Sequence, residues 1–207
     1  MQASPRLLRA LLIAGTLLLA GCGGGPQQAA LAPDATLLAF GDSLTAGTGA
    51  RADSAYPAVL DGLLTQRVVN AGVPGETTAG GLARLPEALA AHRPALVLLC
   101  LGGNDLLRKL DPAQAKANLA AMIRMIHASG ARVVLLGVPE FGLLRLTPPA
   151  FYGELAAEFD LPYEGEALPR ILADRALKAD PIHPNAAGYR ELAAAVHALL
   201  RESGAIE

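Results

Sequence analysis

The sequence contains no tryptophan and only four tyrosines and four phenylalanines in 207 residues. Its core must therefore be built mainly from Leu, Val and Ala, and a broad aromatic platform for binding sugars is disfavoured. An excess of charge of one sign is also missing, because 17 Lys and Arg residues face 19 Asp and Glu residues, for a net charge of −2. Without clustered cations for phosphate contacts, the composition argues against a nucleic-acid partner.

Cysteine is scarce as well, since the sequence has only Cys22 and Cys100. Hydrophobic residues make up 52% of the chain, which is enough for one domain with a sizeable core that needs no disulfide or metal. Cys100 lies within the apolar run 96–101. This position predicts a small buried side chain rather than a reactive thiol.

The amino terminus has the pattern of a secretory signal. Arg6 and Arg9 precede an apolar stretch at residues 10–20, which is too short to span a membrane. The following residues 19–22, Leu-Ala-Gly-Cys, resemble a lipobox, the site at which bacterial lipoproteins are cut before a cysteine that becomes acylated. We therefore expect a signal peptide at 1–21, lipidation at Cys22, a flexible tether at 22–35 and a single domain at 36–207.

These patterns predict that the protein lies in the bacterial cell envelope, faces the periplasm and is attached to a membrane through Cys22. Gly23, rather than Asp, follows the cysteine, which favours the outer membrane by resemblance to Gram-negative lipoproteins. The alternative is an ordinary secretory cleavage site next to a chance cysteine.

Four apolar runs predict strands at residues 36–40, 68–71, 95–101 and 131–138. They are continuous rather than alternating, as expected for a parallel sheet that is covered on both faces. Helix-like stretches separate them at 56–64, 77–92 and 112–129, and a final helix is predicted at 186–201. Pro86 is expected to kink or interrupt the second helix. The alternation predicts an α/β fold with an open, doubly wound sheet.

Ligands of such sheets bind at the carboxyl ends of the strands. Residues 41–44, 72–75 and 102–105 follow the first three strands, so all three segments should meet at one edge. Ser43 lies in the first segment, where a serine alone is more often a helix cap than a nucleophile.

A second motif supports the nucleophile. Asp180 and His183 lie three residues apart on a proline-flanked loop before the last helix. The carboxylate can fix the imidazole tautomer and leave the other ring nitrogen free to act as a base for Ser43. Taken by itself, this pair could equally be a loop-stabilising Asp and an exposed His. Donors for an oxyanion are available from the backbone N–H of Ser43, the N–H of Gly72 and the side-chain amide of Asn104.

Together these segments resemble the four sequence blocks of the SGNH (GDSL) hydrolases. The blocks are 41–44 (Gly-Asp-Ser-Leu), Gly72, 102–105 (Gly-Gly-Asn-Asp) and 180–184 (Asp-Pro-Ile-His-Pro), and they occur in the family's order. Residues 70–78, 81–86, 101–105 and 111–112 are similar to the branch of acyl-CoA thioesterase I, lysophospholipase and arylesterase.

The resemblance implies a flavodoxin-like three-layer α/β/α sandwich that hydrolyses acyl esters or thioesters. It also implies that Ser43, Asp180 and His183 are catalytic and that Ser43, Gly72 and Asn104 form the oxyanion hole. No metal or other cofactor is expected, since no ligand spacing or phosphate-binding glycine motif is present. Two other functions stay open: a carbohydrate or peptidoglycan O-acetylesterase, and a non-catalytic binding lipoprotein on a hydrolase scaffold.

Overall fold

The apolar runs of the sequence form a parallel sheet in the computed structural model, which describes residues 25–141 and 146–207. Its strands are β1 (Thr36–Gly41), β2 (Arg67–Gly72), β3 (Leu96–Cys100), β4 (Arg132–Leu136) and β7 (Tyr163–Glu164). They are arranged in the order β2-β1-β3-β4-β7, and every pairing is parallel. A separate antiparallel hairpin is formed by β5 (Glu140–Phe141) and β6 (Leu146–Thr147).

Helices cover both faces of the sheet. They are α1 (Ser43–Ala46), α2 (Tyr56–Asp61), α3 (Thr78–His92), α4 (Gly103–Leu107), α5 (Pro112–Ala128), α6 (Ala150–Glu158), α7 (Ala167–Ala173) and α8 (Ala186–Glu202). One layer contains α2, α7 and α8, and the other contains α3, α5 and α6. This is the predicted three-layer sandwich, and its strand order is that of flavodoxin-like folds. The fold prediction is confirmed.

The core lies in the three central strands, where the side chains of β3 are all fully buried and those of β1 nearly so. Buried Tyr56, Tyr152 and Tyr189 supply the largest side chains around this aliphatic centre. Cys100 is buried at the end of β3, as expected from its apolar run.

Two local expectations differ from the structure. α3 runs without interruption through Pro86, which lies on the exposed side of the helix. Its missing backbone hydrogen bond therefore faces solvent, and water can replace it. The sheet also has a fifth strand, β7, which was not predicted because it is only two residues long and carries Tyr163 and Glu164 rather than an aliphatic run.

Part of the predicted tether is bound to the domain. The backbone N–H groups of Gln28 and Leu31 donate to the carbonyls of Ser203 and Ala205, and the Gln28 side chain donates to the carbonyl of Val133. Leu31 is 7% exposed and belongs to the core. A flexible tether therefore does not extend to residue 35.

We call residues 27–31 the strap. It lies beside the amino end of β4 and the carboxyl end of α8. The predicted signal peptide and Cys22 fall outside the described residues. Among residues 25–141 and 146–207, no helix is both long enough and apolar enough to cross a membrane.

Candidate active site

Ser43 is presented by a sharp change from strand to helix. β1 ends at Gly41, where a Cβ atom would lie 2.2 Å from Thr45 Oγ1 and 2.3 Å from the Cys100 carbonyl oxygen. Only glycine therefore lets α1 begin directly above the strand end. Asp42 caps that helix by accepting a 3.0 Å hydrogen bond from the Leu44 N–H. Ser43, the first residue of α1, is left half-buried at the carboxyl edge of the sheet.

The loop before α8 brings the second motif to the same edge. Asp180 Oδ1 accepts hydrogen bonds from the backbone N–H groups of Ile182 (2.9 Å) and His183 (2.8 Å), which closes a tight turn. Its other oxygen, Oδ2, lies 2.8 Å from His183 Nδ1, and His183 Nε2 lies 3.0 Å from Ser43 Oγ. One carboxylate therefore shapes the turn and also orients the imidazole toward the serine.

These contacts change the acidity of Asp180. Partial burial raises its pKa, but the hydrogen bonds from the His183 ring and from the backbone of Ile182 and His183 outweigh burial, so the net pKa lies below the usual value. The carboxylate is therefore ionised at neutral pH and can stabilise an imidazolium on His183. The His183 side chain is only 13% exposed, whereas 44% of the Asp180 side chain is exposed.

Asn104 also reaches this edge, from the start of α4. Its Nδ2 atom donates to Asp42 Oδ2 at 3.2 Å and to the backbone carbonyl of Glu76 at 3.0 Å. Asp42 is 1% exposed, and this burial raises its pKa from 3.8 to about 7, although the bonds from Leu44 and Asn104 and the proximity of His183 oppose the rise. The carboxyl group next to the serine thus positions both the α1 helix and the Asn104 amide.

Gly72 does not fit its predicted part as an oxyanion donor. It pairs with Gly41 at the end of the sheet, and its N–H already donates to Asn70 Oδ1 at 3.0 Å. A Cβ atom at this position would lie 2.1 Å from the backbone nitrogen of Ala46. Gly72 therefore serves the close packing of α1 on β2, and its N–H is occupied within the protein.

Residues 73–76 form a turn that was not predicted from the sequence. The Glu76 N–H donates to the Val73 carbonyl at 3.1 Å, and Gly75 has a φ of +79°. Pro74 and Gly75 suit the central positions of a type II turn. Within the described residues the Gly75 N–H makes no hydrogen bond, and its neighbour Glu76 contacts Asn104. The Pro-Gly pair was a readable turn signal, but the choice between Gly72 and Gly75 depends on the Asn70 side chain.

A small cleft opens beside Ser43. Besides the polar residues above, it is lined by five aliphatic side chains: Leu44, Leu107, Val138, Leu172 and Ile182. Leu107 is 46% exposed and lies at the cleft mouth, where it can contact a bound molecule. The cleft therefore combines hydrogen-bonding groups with an apolar lining.

Among the residues that the structure describes, no group of three or more His, Cys, Asp or Glu side chains is placed to hold a metal ion.

The arrangement of Ser43, His183 and Asp180 can activate a serine hydroxyl. A serine whose Oγ is hydrogen-bonded to an imidazole, which in turn is oriented by a carboxylate, is the recurring arrangement of serine hydrolases on unrelated folds.

Known proteins of similar sequence and fold bear the names of esterases and acylhydrolases. Residues 39–191 match the model of the GDSL-like lipase/acylhydrolase family. Esterase TesA of Pseudomonas aeruginosa is 40% identical over 197 residues, which cover 89% of this chain and 94% of that protein. Thioesterase 1/protease 1/lysophospholipase L1 of Escherichia coli is 39% identical over 163 residues, 72% of this chain and 76% of that protein. The crystal structure of TesA superposes with a TM-score of 0.69 at 37% identity, covering 80% of this chain and 98% of that one. The chain belongs to the GDSL-like lipase/acylhydrolase family.

Proposed function

We propose that this chain hydrolyses acyl esters and thioesters through a triad of Ser43, His183 and Asp180. His183 Nε2 takes the proton of Ser43 as its Oγ attacks the acyl carbonyl carbon. The leaving alcohol or thiol receives that proton, and the acyl group stays on Ser43. Water then attacks the acyl-enzyme with His183 again acting as the base, which releases the acid and restores the serine.

Three donors would stabilise the oxyanion in both steps. The N–H of Ser43 has no partner inside α1 because it is the first residue of that helix. The N–H of Gly75, unbonded within the described residues, takes the part that the sequence suggested for Gly72. The Asn104 amide is the third donor, and the substrate oxygen would replace Asp42 Oδ2, the longer of its two contacts.

The aliphatic side chains of the cleft suit the hydrocarbon part of an acyl group. Two relatives are named esterase and thioesterase/lysophospholipase, which supports acyl esters and thioesters as the substrate class. No described feature of the cleft favours a sugar over an acyl chain, so an O-acetylesterase is the weaker alternative.

The observation that carries the proposal is the continuous hydrogen-bonded chain from Ser43 Oγ through His183 to Asp180, with links of 3.0 and 2.8 Å. Its test is the hydrolysis of p-nitrophenyl butyrate by the wild type and by Ser43→Ala. Turnover should fall by at least about 10³-fold in the variant. Ser54→Ala, a serine bonded to Asp53 outside the cleft, is the matched control and should keep full activity. Retention of activity in Ser43→Ala would refute the triad, and so would an inactive wild type.

We also propose that the chain is held at a membrane of the cell envelope through lipidation of Cys22. The strap lies at the amino end of β4, whereas the cleft lies at the carboxyl ends of the strands, about 16 Å away along this five-residue strand. An anchor that precedes the strap would thus leave the cleft open to the aqueous phase. Incorporation of labelled palmitate into the wild type but not into Cys22→Ala tests this, and equal incorporation would refute it.

A further inference from the structure

One guanidinium group spans the two ends of the turn that follows β2. Arg84, on α3, donates from Nε to Glu76 Oε1 at 2.9 Å and from Nη2 to Glu76 Oε2 at 2.7 Å. The same Nη2 atom donates to the carbonyl oxygen of Ala71 at 3.0 Å. Arg84 therefore joins residues 71 and 76 and closes the intervening segment into a fixed loop, which we call the 72–75 loop.

Arg84 is itself held from below by an aromatic ring. Its guanidinium carbon lies 4.1 Å from the centre of the Phe40 ring, and Phe40 is fully buried in β1. Stacking of this kind favours a planar guanidinium over an ammonium group. The cation is thus fixed relative to the strand that leads into Ser43.

The burial of this ion pair sets it apart from the other Lys and Arg pairs in the described part of the chain. Only 8% of the Glu76 side chain and 26% of the Arg84 side chain are exposed, whereas both partners are at least 38% exposed in each of the others. Exposed pairs contribute little to stability or geometry, because solvent screens them. A partly buried, bidentate pair fixes the positions of its partners more strongly.

Glu76 carries this constraint into the active site. Its side chain is bound by Arg84, and its backbone carbonyl accepts the 3.0 Å hydrogen bond from Asn104 Nδ2. The residue before it is Gly75, whose N–H is unbonded in the described residues. We propose that the Arg84–Glu76 pair positions the oxyanion site. It fixes where two of the hydrogen-bond donors lie, the Asn104 amide and the Gly75 N–H. This inference rests on the oxyanion site described under the proposed function.

A second contact supports the same loop but is less suited to the task. The exposed Arg108 donates from Nη2 to the Gly75 carbonyl at 2.8 Å. In the described part of the chain it makes one hydrogen bond to one carbonyl and has no carboxylate or aromatic ring as a partner. Arg84 makes three hydrogen bonds and one stacking contact, so its loss should disturb the loop more.

The chain contains a matched control for an arginine of this kind. Arg124 pairs with Glu158 at 3.2 Å and lies 5.1 Å from the centre of the Phe159 ring, on the outer surface of α5 and α6. It combines an ion pair with a ring contact, as Arg84 does, but neither Arg124 nor its two partners are among the described residues that line the cleft. Arg84→Met and Arg124→Met thus remove the same groups from two places.

The experiment measures kcat and KM for p-nitrophenyl butyrate with the wild type and both variants. Arg84→Met should lower kcat about 10- to 100-fold, because a donor misplaced by about 1 Å loses most of its effect in the transition state. KM should change by less than about threefold, because the lost interaction belongs to the transition state. Arg124→Met should keep the kcat of the wild type.

Two further measurements separate positioning from general loosening of the fold. Phenylboronic acid forms a tetrahedral adduct with an activated serine, so its Ki should rise in Arg84→Met by about the same factor as kcat/KM falls. In a double-mutant cycle, Glu76→Gln alone should lower kcat, and adding Arg84→Met to it should lower kcat much less than in the wild type. Arg84→Lys keeps the charge without the bidentate geometry, so its kcat should lie between those of the wild type and Arg84→Met.

An Arg84→Met variant that matches Arg124→Met in kcat and in Ki for the boronate would overturn the proposal. If Arg84→Met does not fold, as judged by circular dichroism, the decision passes to Glu76→Gln and Arg84→Lys, and wild-type kcat in both would overturn it. If the proposed hydrolase function itself were wrong, the result would be distinct from a wrong role for Arg84. The wild type itself would then neither hydrolyse the ester nor bind the boronate.

Discussion

The buried carboxyl group of Asp42 should make the stability of the protein depend on pH. Burial raises its pKa from 3.8 to about 7, a shift of about three units. Each unit corresponds to about 1.4 kcal/mol, so the shift amounts to about 4 kcal/mol. Between pH 4 and pH 7 the folded protein retains a proton that the unfolded chain has lost. The contribution to the free energy of unfolding is therefore fully present below pH 4 and is lost as the pH rises through about 7.

Replacement by asparagine isolates this contribution. Asp42→Asn keeps an acceptor for the Leu44 N–H but cannot ionise. Urea unfolding of both proteins at pH 4 to 8 gives the difference in unfolding free energy. That difference should move in favour of the variant by up to about 4 kcal/mol as the pH rises. The low pKa of Asp180 contributes in the opposite direction but is common to both proteins, so it cancels.

Asp34→Asn, at an exposed position, is the control and should follow the wild type at every pH. The reasoning is refuted if the difference between Asp42→Asn and the wild type does not change with pH. It is also refuted if the difference changes with the opposite sign, since that would mean the carboxylate is stabilised by its neighbours more than it is penalised by burial.

Three other changes test separate parts of the structure. Asp180→Asn should lower kcat for p-nitrophenyl butyrate by about 10²–10⁴-fold, because the amide no longer fixes the His183 tautomer. A kcat within about threefold of the wild type would contradict the role assigned to Asp180. Gly72→Ala should lower the free energy of unfolding by about 1–3 kcal/mol or more in urea titrations, because its Cβ meets the Ala46 backbone; unchanged stability would contradict the packing described here. Leu31→Ala should cost about 2–5 kcal/mol if the strap is part of the core, whereas a mobile strap would leave stability unchanged.

The central strands were predictable from the sequence because burial on both faces leaves a continuous apolar run. The predicted runs at 36–40 and 95–101 agree with β1 and β3 to within two residues at either end. β7 left no such signal, because a two-residue edge strand is defined by its pairing with Leu135 and Leu136 and not by its own composition. The strap was also missed, because two backbone hydrogen bonds, one glutamine side chain and one buried leucine leave no periodic pattern in the sequence.

Convergence at one sheet edge was predictable for the same reason, because parallel strands end together. The structure brings Ser43 and Asn104 to that edge, as the strand ends predicted, and it places Asp180 and His183 there as the family resemblance implied. The glycine of the oxyanion site could not be predicted from strand ends alone. A strand-end rule selects Gly72, but whether its N–H is free depends on the Asn70 side chain, which no spacing reveals. The Arg84–Glu76 pair was equally hidden, because an eight-residue separation across a loop and a helix has no periodic signature.

The central claim is that Ser43 is an activated nucleophile. Its most direct test is labelling with a fluorophosphonate, followed by mass spectrometry of the intact protein and of its peptides. The account predicts one label per chain, located on Ser43, and its loss in both Ser43→Ala and His183→Ala. A wild-type protein that takes up no label, or a label that persists in Ser43→Ala, would contradict it.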